Sequence, residues 1–96
     1  MDAYLLDSHR VGGTGLVADW RHCEQIVRRA KLPVFLAGGL SANNVAEAIR
    51  IVRPFGVDVE SGVSDRIPGG PLVKNMLKCR RFIDAVRRAD RELGRE

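Results

Sequence analysis

Three short apolar runs, each giving way to a segment with apolar residues three and four positions apart, constrain this chain more than any other feature of it. A run of four to six mostly apolar residues suits a strand buried on both faces, and the longer spacing suits an amphipathic helix. Asp2 to Asp7 is the first run. Ser8 to Gly15, with Gly12, Gly13 and Gly15, reads as a loop, after which Asp19 caps a helix carrying Trp20, Cys23, Ile26, Val27 and Ala30 on one face. Pro33 opens the second run, Val34 to Ala37, which stops at Gly38-Gly39; Ser41 then precedes a helix with Val45, Ile49 and Val52 in register. Pro54 and Gly56 end that helix, Val57 to Ser61 reads as a third strand, and a Gly/Pro-rich loop from Ser64 to Pro71 leads into a long C-terminal helix. The predicted order is βαβαβα.

Strands alternating with helices imply parallel pairing through right-handed crossovers, hence an α/β layer or barrel. A doubly wound nucleotide-binding sheet would favour G-x-G-x-x-G after a strand, whereas the glycines here come as doublets or as Gly-Gly-Thr-Gly. A (β/α)8-type barrel fits better. Asp7, Gly38-Gly39 and Ser61-Gly62 all fall at strand C-termini, and in such a barrel those ends lie side by side on one rim. Ninety-six residues make at most one domain, or part of one.

Composition narrows the partners. A hydrophobic fraction of 45% and a charged fraction of 29% are ordinary for a folded chain. No apolar run approaches the ~18 residues that span a bilayer, and the N-terminus lacks a basic segment followed by an apolar one. Neither secretion nor a membrane partner is expected. The net charge of +4 is concentrated between Lys78 and Arg95, where Cys79, Phe82, Ile83, Val86, Ala89 and Leu93 recur at helical spacing. Arg80, Arg81, Arg87, Arg88 and Arg91 then occupy the other faces, so the charge reads as a solvated helix face; with no interleaved aromatics for base stacking, no nucleic-acid partner is expected. Cys23 and Cys79 show no C-x-x-C spacing and read as small buried hydrophobes, and His9 and His22 form no ligand set, so no metal is expected.

Gly38 and Gly39 have no side chains to block an anion, and the helix that follows offers unpaired N–H groups and the positive end of its dipole. Ser61-Gly62 stands in the same relation to the third strand. Either pair alone could serve only the geometry of a tight turn; two in neighbouring units favour a phosphate site. Asp7 either terminates its strand and caps the loop or acts as an acid on the rim. Asp58, inside the predicted third strand, either contacts a ligand amine or pairs with a neighbouring side chain.

In order, Leu-Leu-Asp-Ser, Gly-Gly-Thr-Gly, a Trp preceded by Asp, Leu-Ala-Gly-Gly-Leu with Asn-Val shortly after, and Val-Asp-Val-x-Ser-Gly-Val resemble the phosphoribosylanthranilate isomerase family from Asp2 to about Val63, and more loosely through the last helix. The resemblance implies a cytoplasmic, cofactor-free Amadori rearrangement of N-(5-phosphoribosyl)anthranilate to 1-(2-carboxyphenylamino)-1-deoxyribulose 5-phosphate, in tryptophan biosynthesis. It places Asp7 on the family's general acid, and Gly13, Gly15, Gly38, Gly39, Asp58, Ser61 and Gly62 on the surface that binds the phosphoribosyl substrate. The family's cysteine base at the end of the first barrel strand, and an arginine in an early loop, have no counterpart here.

The resemblance therefore implies an incomplete single domain, residues 1–96, holding barrel units six to eight. Such a piece would have open sheet edges, and it would need the N-terminal units or self-association to cover them. By itself it would be marginal and inactive. Glu60, Ser64 and Asn75 depart from the family's Ser-Ser-Gly-Val-Glu and Lys-Asp patterns, and the loop between them is long. Those departures leave open a divergent sugar-phosphate isomerase, or a phosphate-binding or assembly module without catalysis.

Overall fold

The computed structural model describes residues 2–8 and 19–95. Its elements are β1 (Tyr4–Asp7), α1 (Trp20–Arg29), β2 (Val34–Ala37), α2 (Val45–Val52), β3 (Gly56–Val57), a 3-10 turn (Ser61–Val63), β4 (Ser64–Arg66), β5 (Leu72–Lys74) and α3 (Met76–Glu92). β1, β2 and β3 form one parallel sheet in that order. Tyr4 pairs with Val34 and Asp7 with Ala37, while Leu36 pairs with Val57, so the three strands end nearly level.

Local chemistry sets most boundaries. The Asp19 carboxylate accepts the His22 N–H at 3.0 Å and starts α1 where predicted. Beyond Gly39, Ser41 does not cap α2 itself. Its N–H donates to Asn44 Oδ1 (2.8 Å), and Asn44 Nδ2 donates to Gly39 O (2.9 Å), so a turn fills the gap and α2 begins at Val45. α2 ends at Arg53, which adopts the left-handed conformation at φ 55°, and the Arg95 guanidinium donates to the carbonyls of Pro54 (2.9 Å) and Arg53 (3.3 Å). An Arg50–Glu92 ion pair at 3.1 Å fastens the same ends of α2 and α3 together.

The third strand is shorter than expected. Asp58 N–H still donates to Leu36 O at 2.8 Å, but β2 stops at Ala37, where Gly38 turns to φ 104°, and Val59 to Ser61 have no ladder left to join. The predicted loop from Ser64 to Pro71 is also corrected: it holds one arm and the turn of an antiparallel hairpin, β4 with β5, in which Ser64 faces Lys74 and Arg66 faces Leu72. Burial of β1 on both faces does not occur, since β1 is a sheet edge; Tyr4 is 52% exposed and Leu5 65%.

α2 packs against both α1 and α3. The core between helices and sheet gathers Cys23 of α1, Leu36 of β2, Val45, Ala48, Ile49 and Val52 of α2, and Phe82, Ala85 and Ala89 of α3. Leu36 is completely buried, a placement that stabilises by about 1.5–3 kcal/mol for a side chain of this kind. Arg80, Arg81, Arg87, Arg88 and Arg91 are exposed, as the periodicity requires. Three hydrophobic expectations fail: Ile26 and Ile83 face outward and Cys79 is only partly buried. Among the described residues no helix is long and apolar enough to cross a membrane.

Candidate active site

The level ends of β1, β2 and β3 open onto a cavity of about 390 Å³ lined by Asp7, Ala37–Leu40 and Asp58–Ser61. Asp7, Gly38, Gly39, Asp58 and Ser61, all singled out from sequence, thus converge on one space. The parallel register explains this: Asp7 sits beside Ala37, and Asp58 follows directly on the Leu36–Val57 pair. Asp58 does not lie inside a strand. It is exposed just beyond β3 and carries no cost of burial. Gly13 and Gly15 lie outside the described residues.

Two glycines are demanded by close approach. A Cβ on Gly38 would come 2.5 Å from Asp7 Oδ1 and 2.9 Å from Ser8 Oγ, besides the strain of its positive φ. On Gly62 a Cβ would run into the backbone carbonyl of Leu40, which seats the 3-10 turn directly on the β2–α2 connection. Gly62 therefore fixes the position of the turn, while Ser61 beside it lines the cavity.

Residue reading from sequence overlooked Ser8. It is fully buried, and its hydroxyl lies 3.1 Å from Ala37 O and 3.2 Å from Gly38 O, tying the residue after Asp7 to the glycine turn. A polar residue directly after a strand-ending Asp was the available signal. Glu60 also lines the cavity, so its wall carries three carboxylates, Asp7, Asp58 and Glu60, and no basic side chain among the described residues. The described residues contain no group of three His, Cys, Asp or Glu placed to hold a metal ion. The unpaired donors expected ahead of α2 are engaged within its own turn: the N–H of Ser41 donates to Asn44 Oδ1, that of Asn43 to Ser41 Oγ, and those of Asn44 and Val45 to Ser41 O. Neither cysteine lines the cavity; burial, then the nearby Asp19 carboxylate, push the Cys23 thiol above its ordinary pKa.

A sequence profile described as N-(5'phosphoribosyl)anthranilate (PRA) isomerase matches residues 1–85. The chain belongs to this family. It is 49% identical over 88 residues to the N-(5'-phosphoribosyl)anthranilate isomerase of Roseiflexus sp. (strain RS-1), covering 88% of this chain and 38% of the relative. A second isomerase of this name, from Methanosarcina mazei, is 50% identical over 70 residues, 68% of this chain and 31% of its own. Among solved structures, the phosphoribosyl anthranilate isomerase from Thermococcus kodakaraensis superposes with a TM-score of 0.69 at 41% identity, over 91% of this chain and 38% of that one. Another, in complex with reduced 1-(o-carboxyphenylamino)-1-deoxyribulose 5-phosphate, gives 0.67 at 34% identity over 88% and 37%. The chain thus has the α/β fold with parallel strands of these barrel enzymes, and spans well under half the length of the isomerases it matches.

Proposed function

We propose that this chain carries units six to eight of a phosphoribosylanthranilate isomerase barrel and contributes its acid and its phosphate grip. The observation that carries the reading is the convergence of Asp7, Gly38-Gly39, Asp58 and Ser61 on one cavity at the C-terminal ends of three parallel strands. Gly38, Gly39, Ser61 and Gly62 form the grip, in which backbone N–H groups hold the substrate's phosphate. Gly13 and Gly15 belong to the same surface by family likeness. Asp58 faces the anthranilate amine.

Asp7 protonates the ribose ring oxygen. The C1–O bond breaks with its electron pair going to that oxygen, and the nitrogen lone pair completes a Schiff base. Loss of the C2 proton then gives the enolamine that rearranges to the ketone. The family's C2 base is a cysteine, and neither Cys23 nor Cys79 lines the cavity, which supports a base supplied from outside residues 1–96 and an inactive isolated chain.

The surface supports a need for further units. β1 and β3 are the edges of the parallel sheet, and Tyr4, Leu5 and Phe55 beside those edges are more than half exposed. On α3, Met76 (81% exposed), Leu77 and Ile83 line an open groove of about 580 Å³. In a closed barrel a neighbouring βα unit covers each such edge. In this reading the occupant is the five preceding units; that the chain covers only 38% of the Roseiflexus relative supports it. The decisive test is growth of a tryptophan auxotroph lacking this isomerase when the chain is co-expressed with the first five units of the Roseiflexus relative. Wild type restores growth and Asp7→Asn does not; growth indifferent to Asp7→Asn removes the assigned acid. With no cysteine at the cavity and Glu60 and Ser64 departing from the family pattern, one second reading is a ribose-phosphate binder without turnover, for which binding would persist in an assembly that supports no growth.

A further inference from the structure

The 3-10 turn that presents Ser61 to the cavity is fastened from behind by a cluster outside the cavity lining. Asp65 on β4 receives two donors: Lys78 Nζ at 2.8 Å from Oδ1 and Asn75 Nδ2 at 2.8 Å from Oδ2. Asn75 also accepts the Lys78 N–H at 3.0 Å as the N-cap of α3, and its own N–H donates to Val63 O at 2.8 Å. Ser64 Oγ donates to Glu60 O at 2.7 Å, and Lys78 Nζ reaches Ser64 O at 3.4 Å. Val63 and Ser64 are both buried. The turn is thus held between Leu40 O on one side, where Gly62 seats against it, and the Asp65–Asn75–Lys78 cluster on the other.

We propose that Asp65, Asn75 and Lys78 form a latch that positions the Ser61–Val63 turn and so sets the affinity of the site for phosphate. The inference rests on reading that turn as part of the phosphate grip. The residues at 65 and 75 must match: an acid at both would bring two carboxylates into hydrogen-bond range, whereas the Asn75 amide supplies the donor that Asp65 needs. That pairing gives a physical reason for Asn75 where the family pattern has Asp. The latch touches no substrate, so its three members are positioning residues.

The test takes the chain assembled with the first five units of the Roseiflexus relative and titrates it with inorganic phosphate while following the amide resonances of Ser61, Gly62 and Val63, for wild type, Asp65→Asn, Asn75→Asp and the double variant that exchanges the two residues. Asp65→Asn should move the turn resonances before phosphate is added and weaken phosphate binding about two- to fivefold, the scale of one exposed ion pair. Asn75→Asp should weaken it through repulsion with Asp65. The exchange variant, which restores one carboxylate facing one amide beside Lys78, should bind phosphate more tightly than either single variant, a rescue that general destabilisation would not produce. Unchanged affinity and resonances in Asp65→Asn, with wild type still binding, overturn the latch alone. Absence of phosphate binding by wild type overturns both the latch and the phosphate reading beneath it.

Discussion

Gly62→Ala offers a sharp structural test, because its effect is steric and cannot be absorbed by a flexible side chain. The added Cβ meets the Leu40 carbonyl oxygen and carbon, both backbone, and Leu40 itself is 3% exposed in the core. Either the 3-10 turn lifts away or the β2–α2 connection yields. Overpacking of this kind costs about 1–3 kcal/mol. In a domain of this size about 2 kcal/mol corresponds to a fall of ~10 °C in the melting midpoint. Lifting the turn also withdraws Ser61 from the cavity, and a displacement near 1 Å in a positioning contact can cost ~100-fold in rate. The assays are thermal unfolding and calorimetry with ribose 5-phosphate. Gly69→Ala is the control: its φ of 72° brings strain of about 1–2 kcal/mol, but nothing lies within 4 Å of the new methyl and the hairpin tip is exposed. Gly62→Ala should lose stability and at least about tenfold in ribose-phosphate affinity, some 1.4 kcal/mol, while Gly69→Ala should lose only stability. Equal affinity in the two variants would refute the seating of the turn on Leu40.

Other outcomes follow from the same structure. Cys79 should react with an alkylating reagent in the folded chain while Cys23, completely buried and with its thiol pKa raised, should react only on unfolding; mass spectrometry of partly labelled chain reads this out. Leu36→Ala, at a fully buried position in the central strand, should cost about 2–5 kcal/mol and melt the fold, as seen by circular dichroism. Asp65 is held below its ordinary carboxylate value of 3.8 by hydrogen bonds from Lys78 and then Asn75. Its folded pKa is depressed, so its contribution is complete above pH 3.8 and is lost as the pH falls through the lowered value. Resonances of Asp65 and Asn75 should therefore titrate with a midpoint below pH 3.8.

What could be read from sequence was what local chemistry decides. Asp19 caps α1 through a residue three positions away, and the arginines of α3 follow its periodicity. The convergence of Asp7, Gly38-Gly39, Asp58 and Ser61 was legible because parallel strands align their ends. The misses depend on partners distant in sequence. β3 stops where β2 stops, and only the Gly38 backbone determines that point. β4 and β5 are three residues each, too short for an alternating pattern to rise above the Pro68–Pro71 turn signals between them. Ser8 against Ala37 and Gly38, and Asp65 against Asn75 and Lys78, are contacts across 29, 30, 10 and 13 positions that no local spacing announces.

The most direct measurement is turnover of N-(5'-phosphoribosyl)anthranilate by this chain assembled with the first five barrel units of a relative, purified and compared with its Asp7→Asn form. Conversion to 1-(2-carboxyphenylamino)-1-deoxyribulose 5-phosphate is predicted for the wild-type assembly, with at least ~100-fold slower turnover for Asp7→Asn, the scale of a general acid's contribution. Affinity for ribose 5-phosphate should be unchanged between the two. Equal turnover with and without the Asp7 carboxylate would contradict the central claim.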